Sequence, residues 1–234
     1  SYSYCYSRTR RFTKKIQLKM NQYRPSGFSM LPPVIKNLLI INIVCFIISW
    51  VAQTFIGYDI TNYFGLHYIS SPSFRPVQFV TYMFLHANLE HIFFNMFALW
   101  MFGNTLENFW GGKRFLVYYF VTGIGAGIIQ MLVAYIHLQT FAISDDMWNL
   151  VLSDGDELIR TSRNYVDNAL GSVNAIVNAP TVGASGAIFG LLMAFGMLFP
   201  NLEIYLYFAI PIKAKWFVLG YGLIELFSGI RNSA

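Results

Sequence analysis

Two short stretches place polar side chains where the surrounding sequence is apolar. The first reads His86-Ala-Asn-Leu-Glu-His91-Ile-Phe-Phe-Asn95. On a helix, His91 and Asn95 share a face because they are four residues apart. His86 then lies about one and a half turns earlier. Two imidazoles and an amide could surround one small cavity. Polar groups within an apolar span are costly and commonly functional. The competing reading is hydrogen bonding between helices. A zinc site on His86, Glu90 and His91 fits less well. Metalloprotease helices space their histidines four apart, whereas these are five apart and diverge by about 140° on a helix.

The second stretch is Gly183-Ala-Ser185-Gly186-Ala-Ile-Phe189-Gly190. A serine between glycines at the start of a helix suits a nucleophile. The glycines let a substrate backbone come close. The helix N-terminus offers free N–H groups and a positive dipole end to a developing oxyanion. His91 and Asn95 could donate to the same oxygen. The alternative is close helix packing, because Gly183/Ala187 and Gly186/Gly190 have small-xxx-small spacing.

The elements that must position these groups are membrane helices. Of 234 residues, 56% are hydrophobic, 18% aromatic and 12% charged, against about 25% charged in soluble domains. Mean hydropathy is +0.48. This composition excludes a disordered chain, a disulfide scaffold and an ordinary soluble enzyme. Two cysteines, Cys5 and Cys45, build no framework. The fold class is therefore an all-α polytopic membrane protein.

Apolar runs predict five spans: Asn37–Tyr58, about Val77–Leu106, about Phe115–Phe141, about Thr181–Phe199, and one from Lys215 to the end. Gly123, Gly125 and Gly127 sit inside the third span with no preceding strand, so they serve helix contact rather than a dinucleotide. Residues 142–180 are polar and acidic, and read as an outer surface loop with one short amphipathic helix. Arg8, Arg10, Arg11, Lys14, Lys15, Lys19 and Arg24 precede the first run. With Lys113, Arg114, Lys213 and Lys215 they mark the cytoplasmic side. The net charge of +5 is then an orientation signal rather than a nucleic-acid one. The domains are a basic cytoplasmic leader at 1–32 and a membrane domain at 33–234. Met20 lies within the leader, so residues 1–19 have an uncertain origin. The expected location is a bacterial inner membrane. A transporter is a further reading, because half-helix starts bind anions, but no inverted repeat accompanies this one.

The two motifs together resemble the rhomboid family of intramembrane serine proteases. The likeness rests on HxxxxHxxxN (His86, His91, Asn95) and GxSG (Gly183, Ser185, Gly186), over about residues 33–232. It extends to Glu107, the Gly111-Gly112-Lys113-Arg114 turn and Pro211–Trp216. The resemblance implies a rhomboid-like bundle of six spans. It makes Ser185 the nucleophile and His91 and Asn95 the oxyanion hole, with Gly183, Gly186 and His86 in support. Phe189 would stack on a general base. The implied partners are single-pass transmembrane substrates and the lipid bilayer, with no nucleic acid, metal or other cofactor.

Two departures stand out. The family often has Trp-Arg in the first outer loop, where this chain reads Pro76-Val77-Gln78, so loop anchoring is expected to differ. The family's base is a histidine on a sixth span, whereas His67, His86, His91 and His137 all precede Ser185. The last span is short, with Glu225 inside it. The expectation is a chain truncated before the sixth helix and catalytically incomplete as written. A non-proteolytic relative that binds client helices is the alternative.

Overall fold

Proline fixes the start of the first helix. Pro32 and Pro33 open α1 (Pro33–Val51), which continues through one wider turn, Ala52–Ile56, and stops at Gly57 in the left-handed region, φ 69°. The computed structural model describes residues 30–206 and 210–232. The basic leader with Cys5 and Met20 falls outside them, and the Glu225 side chain is not described. Two helices are long and apolar enough to cross a membrane: Pro33–Ile56 and α6 (Gly112–Leu138). They cover the first and third expected spans.

The second expected span does not start at Val77. The chain first makes α3 (Gln78–Thr81), following α2 (Thr61–Phe64), then a tight turn at Tyr82–Phe84 and an extended Leu85. Only at Leu89 does α4 (Leu89–Ala98) begin. The physical reason is a cap: the Asn88 side chain accepts the His91 N–H at 2.8 Å, which satisfies an otherwise orphaned donor. One wide turn, Leu99–Gly103, leads into α5 (Asn104–Trp110). Gly111, at φ 80°, reverses the chain into α6.

The outer loop is also more ordered than expected. Residues 142–180 hold three helices: α7 (Asp145–Ser153), α8 (Gly155–Arg160) and α9 (Asn168–Asn178). Ser144 and Asp167 cap α7 and α9 through their side chains. Val151, Leu170, Val173 and Val177 form a small core of their own. The fourth expected span begins four residues late, at Ser185, giving α10 (Ser185–Leu198). An antiparallel hairpin, β1 (Glu203–Leu206) with β2 (Ile210–Lys213), was not expected from the sequence; Ile204 faces Ile212 across it. It delivers the chain into α11 (Ala214–Asn232). The structure is thus mostly helical; among the described residues no other helix meets the length and hydropathy of a span, α10 being apolar but only 14 residues long.

The core runs through α1, α4, α6 and α10, with Phe102, Phe115, Tyr119 and Leu191 nearly or fully buried. A buried carboxylate ties α5 to the start of α1. Glu107, 4% exposed, accepts Val34 N–H at 3.0 Å and Ile35 N–H at 2.8 Å. These are free donors of the α1 N-terminus, where a negative charge also meets the dipole.

The loop between α1 and α3 is held by Gln78, the residue at the family departure. Its Oε1 accepts Arg75 N–H at 3.1 Å and His67 N–H at 3.3 Å. Its Nε2 donates to Ser73 O at 2.9 Å and Tyr63 O at 3.1 Å. A neutral amide thereby satisfies four backbone groups. His67 beside it is 1% exposed, and burial pushes its imidazole below the ordinary value of 6.5.

Two predictions follow from these anchors. Glu107→Ala leaves two N–H groups unpaired and should cost about 1–3 kcal/mol, read as a lowered midpoint in thermal unfolding of the detergent-solubilised chain. For His67, the folded pKa is depressed, so the unfolded chain takes up the proton first. Stability should fall as pH drops below about 6.5 and level off below the folded value. His67→Gln should flatten that part of the stability–pH curve; an unchanged curve would show that another group titrates.

Candidate active site

The serine stands where α10 begins. Thr181 is extended and pairs with Leu66 through two backbone hydrogen bonds, of 2.8 and 2.9 Å. Gly183 N–H then donates to Tyr82 O at 2.9 Å. Gly183 takes φ 131°, which only glycine adopts cheaply. The turn ends at Ala184, and Ser185 is the first residue of α10, with no side chain capping the helix. Ser185 is exposed, whereas Ala184 and Ala187 are buried.

His91 comes from α4 and reaches this turn. A β-carbon built on Gly183 would lie 2.8 Å from both His91 Cε1 and Nε2, and 3.6 Å from Ser185 Oγ. The imidazole therefore lies over the bare face of Gly183, beside the hydroxyl. Asn95, one turn further along α4, is 7% exposed, and its Nδ2 has no hydrogen-bond partner. His86 is not on α4. It sits in the extended segment before it, 3% exposed, with its ring 5.1 Å from that of His91 and edge-on at 69°. Neither His86 ring nitrogen has a partner. The helical phase of His86 relative to His91, expected from a continuous span, therefore does not exist.

Gly186 and Gly190 face α6. A β-carbon on Gly186 would strike Ala126 Cβ, and one on Gly190 would lie 2.5 Å from Thr122 Cβ. Tyr118 OH reinforces this contact by donating to Gly190 O at 2.9 Å. The packing reading of the motif thus fits Gly186 and Gly190, while Ser185 beside them is exposed. Phe189 lies against Tyr221 of α11, with ring centroids 5.1 Å apart. No histidine stacks on it.

Sequence reasoning missed Tyr82, whose carbonyl holds Gly183 and whose hydroxyl donates to Gly123 O at 2.7 Å. Its only signal was a tyrosine four residues before His86. Asn88 was legible as a cap, a polar residue directly before an apolar run. A cavity of about 810 Å³ opens beside His86, between Ser49, Trp50 and Gln53 of α1 and Asn88, Leu89 and Val182. Among the described residues, no three His, Cys, Asp or Glu side chains group as a metal site.

This arrangement is that of a helical membrane protein with a serine and an imidazole brought together at a helix start. Residues 73–144 match the Rhomboid domain family model, a stretch that holds His86, His91 and Asn95. Two curated relatives agree. Rhomboid-like protein 11, chloroplastic, of Arabidopsis thaliana is 41% identical over 56 residues, covering 24% of this chain and 20% of that protein. Rhomboid protein 1, mitochondrial, of Saccharomyces cerevisiae is 28% identical over 129 residues, covering 55% of this chain and 27% of that protein. These matches support a rhomboid family member, and the chain spans about a quarter of the length of each relative it matches. Both relatives carry organelle names, so the expected bacterial inner membrane has no support from them.

Gly183 offers a direct check. Gly183→Ala places a methyl against His91 and forces a strained φ. It should displace the imidazole and lower serine-probe labelling at least tenfold while α-helix content by circular dichroism stays unchanged. Labelling equal to the parent would show that the Gly183–His91 contact is unimportant.

Proposed function

We propose that this chain is a rhomboid-type intramembrane serine endopeptidase whose substrates are single-pass membrane proteins cut near the outer face. One observation carries the reading. Ser185, exposed and at an uncapped helix start, shares its immediate surroundings with the His91 ring, and the Asn95 amide, one helical turn beyond His91, is unpartnered. Ser185 Oγ attacks the scissile carbonyl carbon, and its proton passes to a general base. The carbonyl oxygen becomes an oxyanion that accepts from Ser185 N–H, His91 and Asn95 Nδ2. Collapse expels the amine, which takes the proton back, and water hydrolyses the acyl-enzyme. Gly183 and Gly186 keep side chains off the approaching backbone, and His86 supports His91. Phe189 is the stacking surface for the base.

The reading extends to five spans, with the N-terminus cytoplasmic and the 59–76 and 142–180 loops outside. It includes a general base for Ser185, whose hydroxyl has no hydrogen-bond partner among the described residues, because a serine needs such a base to be a good nucleophile. The cavity beside His86 supports a second reading, a non-proteolytic rhomboid-like protein that holds client helices in the same groove.

The test is cleavage of a single-pass substrate in proteoliposomes, together with fluorophosphonate labelling. Ser185→Ala should abolish both, and Asn95→Ala should slow cleavage by roughly 10²–10³. Substrate binding that survives Ser185→Ala, with no cleavage or labelling by the parent, would establish the client-binding reading. Cleavage by Ser185→Ala at the parent's rate would remove Ser185 as nucleophile.

A further inference from the structure

Away from Ser185, cations and aromatic rings converge at the outer end of α1. The last turns of α1 are strongly apolar and uncovered. Trp50 meets Phe55 edge-on at 6.3 Å, and Phe55 and Ile56 are each 74% exposed. Such side chains belong in hydrocarbon. The helix stops at Gly57, and Tyr58 follows at once, 45% exposed. Tyr58 therefore stands where hydrocarbon gives way to headgroups, the depth at which tyrosines concentrate.

Tyr58 stacks on Tyr63 with centroids 5.3 Å apart and planes 23° apart. Two guanidinium groups lie over the Tyr63 ring, Arg75 at 5.7 Å and Arg160 at 5.5 Å. Arg160 is partly engaged, with Nε 3.0 Å from Asp156 and Nη2 donating to Ser73 Oγ at 3.0 Å. Asp59 nearby is occupied by Thr61, whose N–H and hydroxyl both donate to it, at 2.8 and 2.6 Å. Arg75 is exposed and has no acidic partner among the described residues. The Tyr63 hydroxyl is held below its ordinary value, first by the hydrogen bond from Tyr58 and next by the Arg160 charge. Surroundings that favour a phenolate favour any oxyanion.

We propose that Arg75, the Tyr63 hydroxyl and the remaining N–H groups of Arg160 bind the phosphodiester of an anionic phospholipid headgroup, the Tyr58 hydroxyl being committed to Tyr63. Guanidinium groups match phosphate oxygens with two parallel donors. The uncovered Phe55 and Ile56 supply a wall for the acyl chain, which a free phosphate does not need. The bound lipid fixes the depth of the 59–76 loop. Through Arg160 it also ties that loop to α8 of the outer insertion.

Native mass spectrometry of the full chain in detergent, titrated with phosphatidylglycerol, tests this. The parent should retain the lipid, Arg75→Gln should weaken retention about tenfold, and Arg75→Lys should lose less. Tyr63→Phe keeps the stacked ring, removes only the hydroxyl and should weaken retention severalfold, so it decides the matter if an Arg75 variant fails to fold. Retention unchanged in both Arg75→Gln and Tyr63→Phe overturns the site. Displacement of the lipid by millimolar inorganic phosphate overturns the lipid assignment in favour of a free anion.

Discussion

Everything near the serine depends on a helix that begins inside the protein. α10 has 14 residues, about 21 Å at 1.5 Å each, against a hydrocarbon core of about 30 Å. Its first N–H groups have no intrahelical partner, and no side chain caps them. In an apolar layer such donors are expensive to leave bare. The structure concentrates that unsatisfied capacity at one place and keeps Ser185 there. The segment that feeds it is correspondingly well tied, by the Leu66–Thr181 pairing and the Gly183–Tyr82 hydrogen bond. A helix start that must stay open needs a rigid approach.

That approach is braced from outside. The 59–76 loop is fastened by Gln78, and the insertion is fastened to the loop: Ser71 Oγ donates to Asn178 Oδ1 at 2.8 Å, and Ser73 Oγ to Asp156. Asn178 also donates to Val151 O and Asn174 Oδ1, each at 2.8 Å. These amides are fully buried, so each unmade bond would cost far more than a made one contributes. α9 ends five residues before Gly183, which makes the insertion a continuation of the scaffold that positions the turn.

The sequence made some of this legible and hid the rest for identifiable reasons. Long uniform apolar runs announced α1 and α6, because nothing within them competes with a helix. The run from Val77 to Leu106 hid its break, since Tyr82–Leu85 is as apolar as a helix interior. Only Asn88, a cap three residues before His91, marked the true start. The GxSG stretch announced an open, closely packed helix start without telling which role each glycine plays. The contacts separate them: Gly183 makes room for His91, whereas Gly186 and Gly190 make room for α6. The order within 142–180 escaped because its core is four aliphatic residues with a weak period, joined by hydrogen bonds of buried asparagines that no periodicity announces. The departure at Pro76-Val77-Gln78 announced a different loop anchoring without telling that Gln78 supplies it.

The distribution of unsatisfied polar atoms argues that this centre is built for something it must receive. Native interiors leave few buried polar atoms unpaired. Among the described residues, three of the seven such atoms, His86 Nδ1, His86 Nε2 and Asn95 Nδ2, belong to the polar motif around His91. A purely structural motif would pair its members with one another. His86 and His91 instead meet edge to ring, without a hydrogen bond between their nitrogens, and Asn95 turns its amide to no protein acceptor. Water or a substrate carbonyl would satisfy the Asn95 amide and the single N–H of a neutral His86 ring, whose other nitrogen accepts, and an oxyanion would satisfy such donors better, because a charged acceptor strengthens each bond. Helix packing accounts for Gly186 and Gly190 but leaves the unpaired atoms around His91 unexplained. The proposed recognition of an oxygen would account for the donors among them.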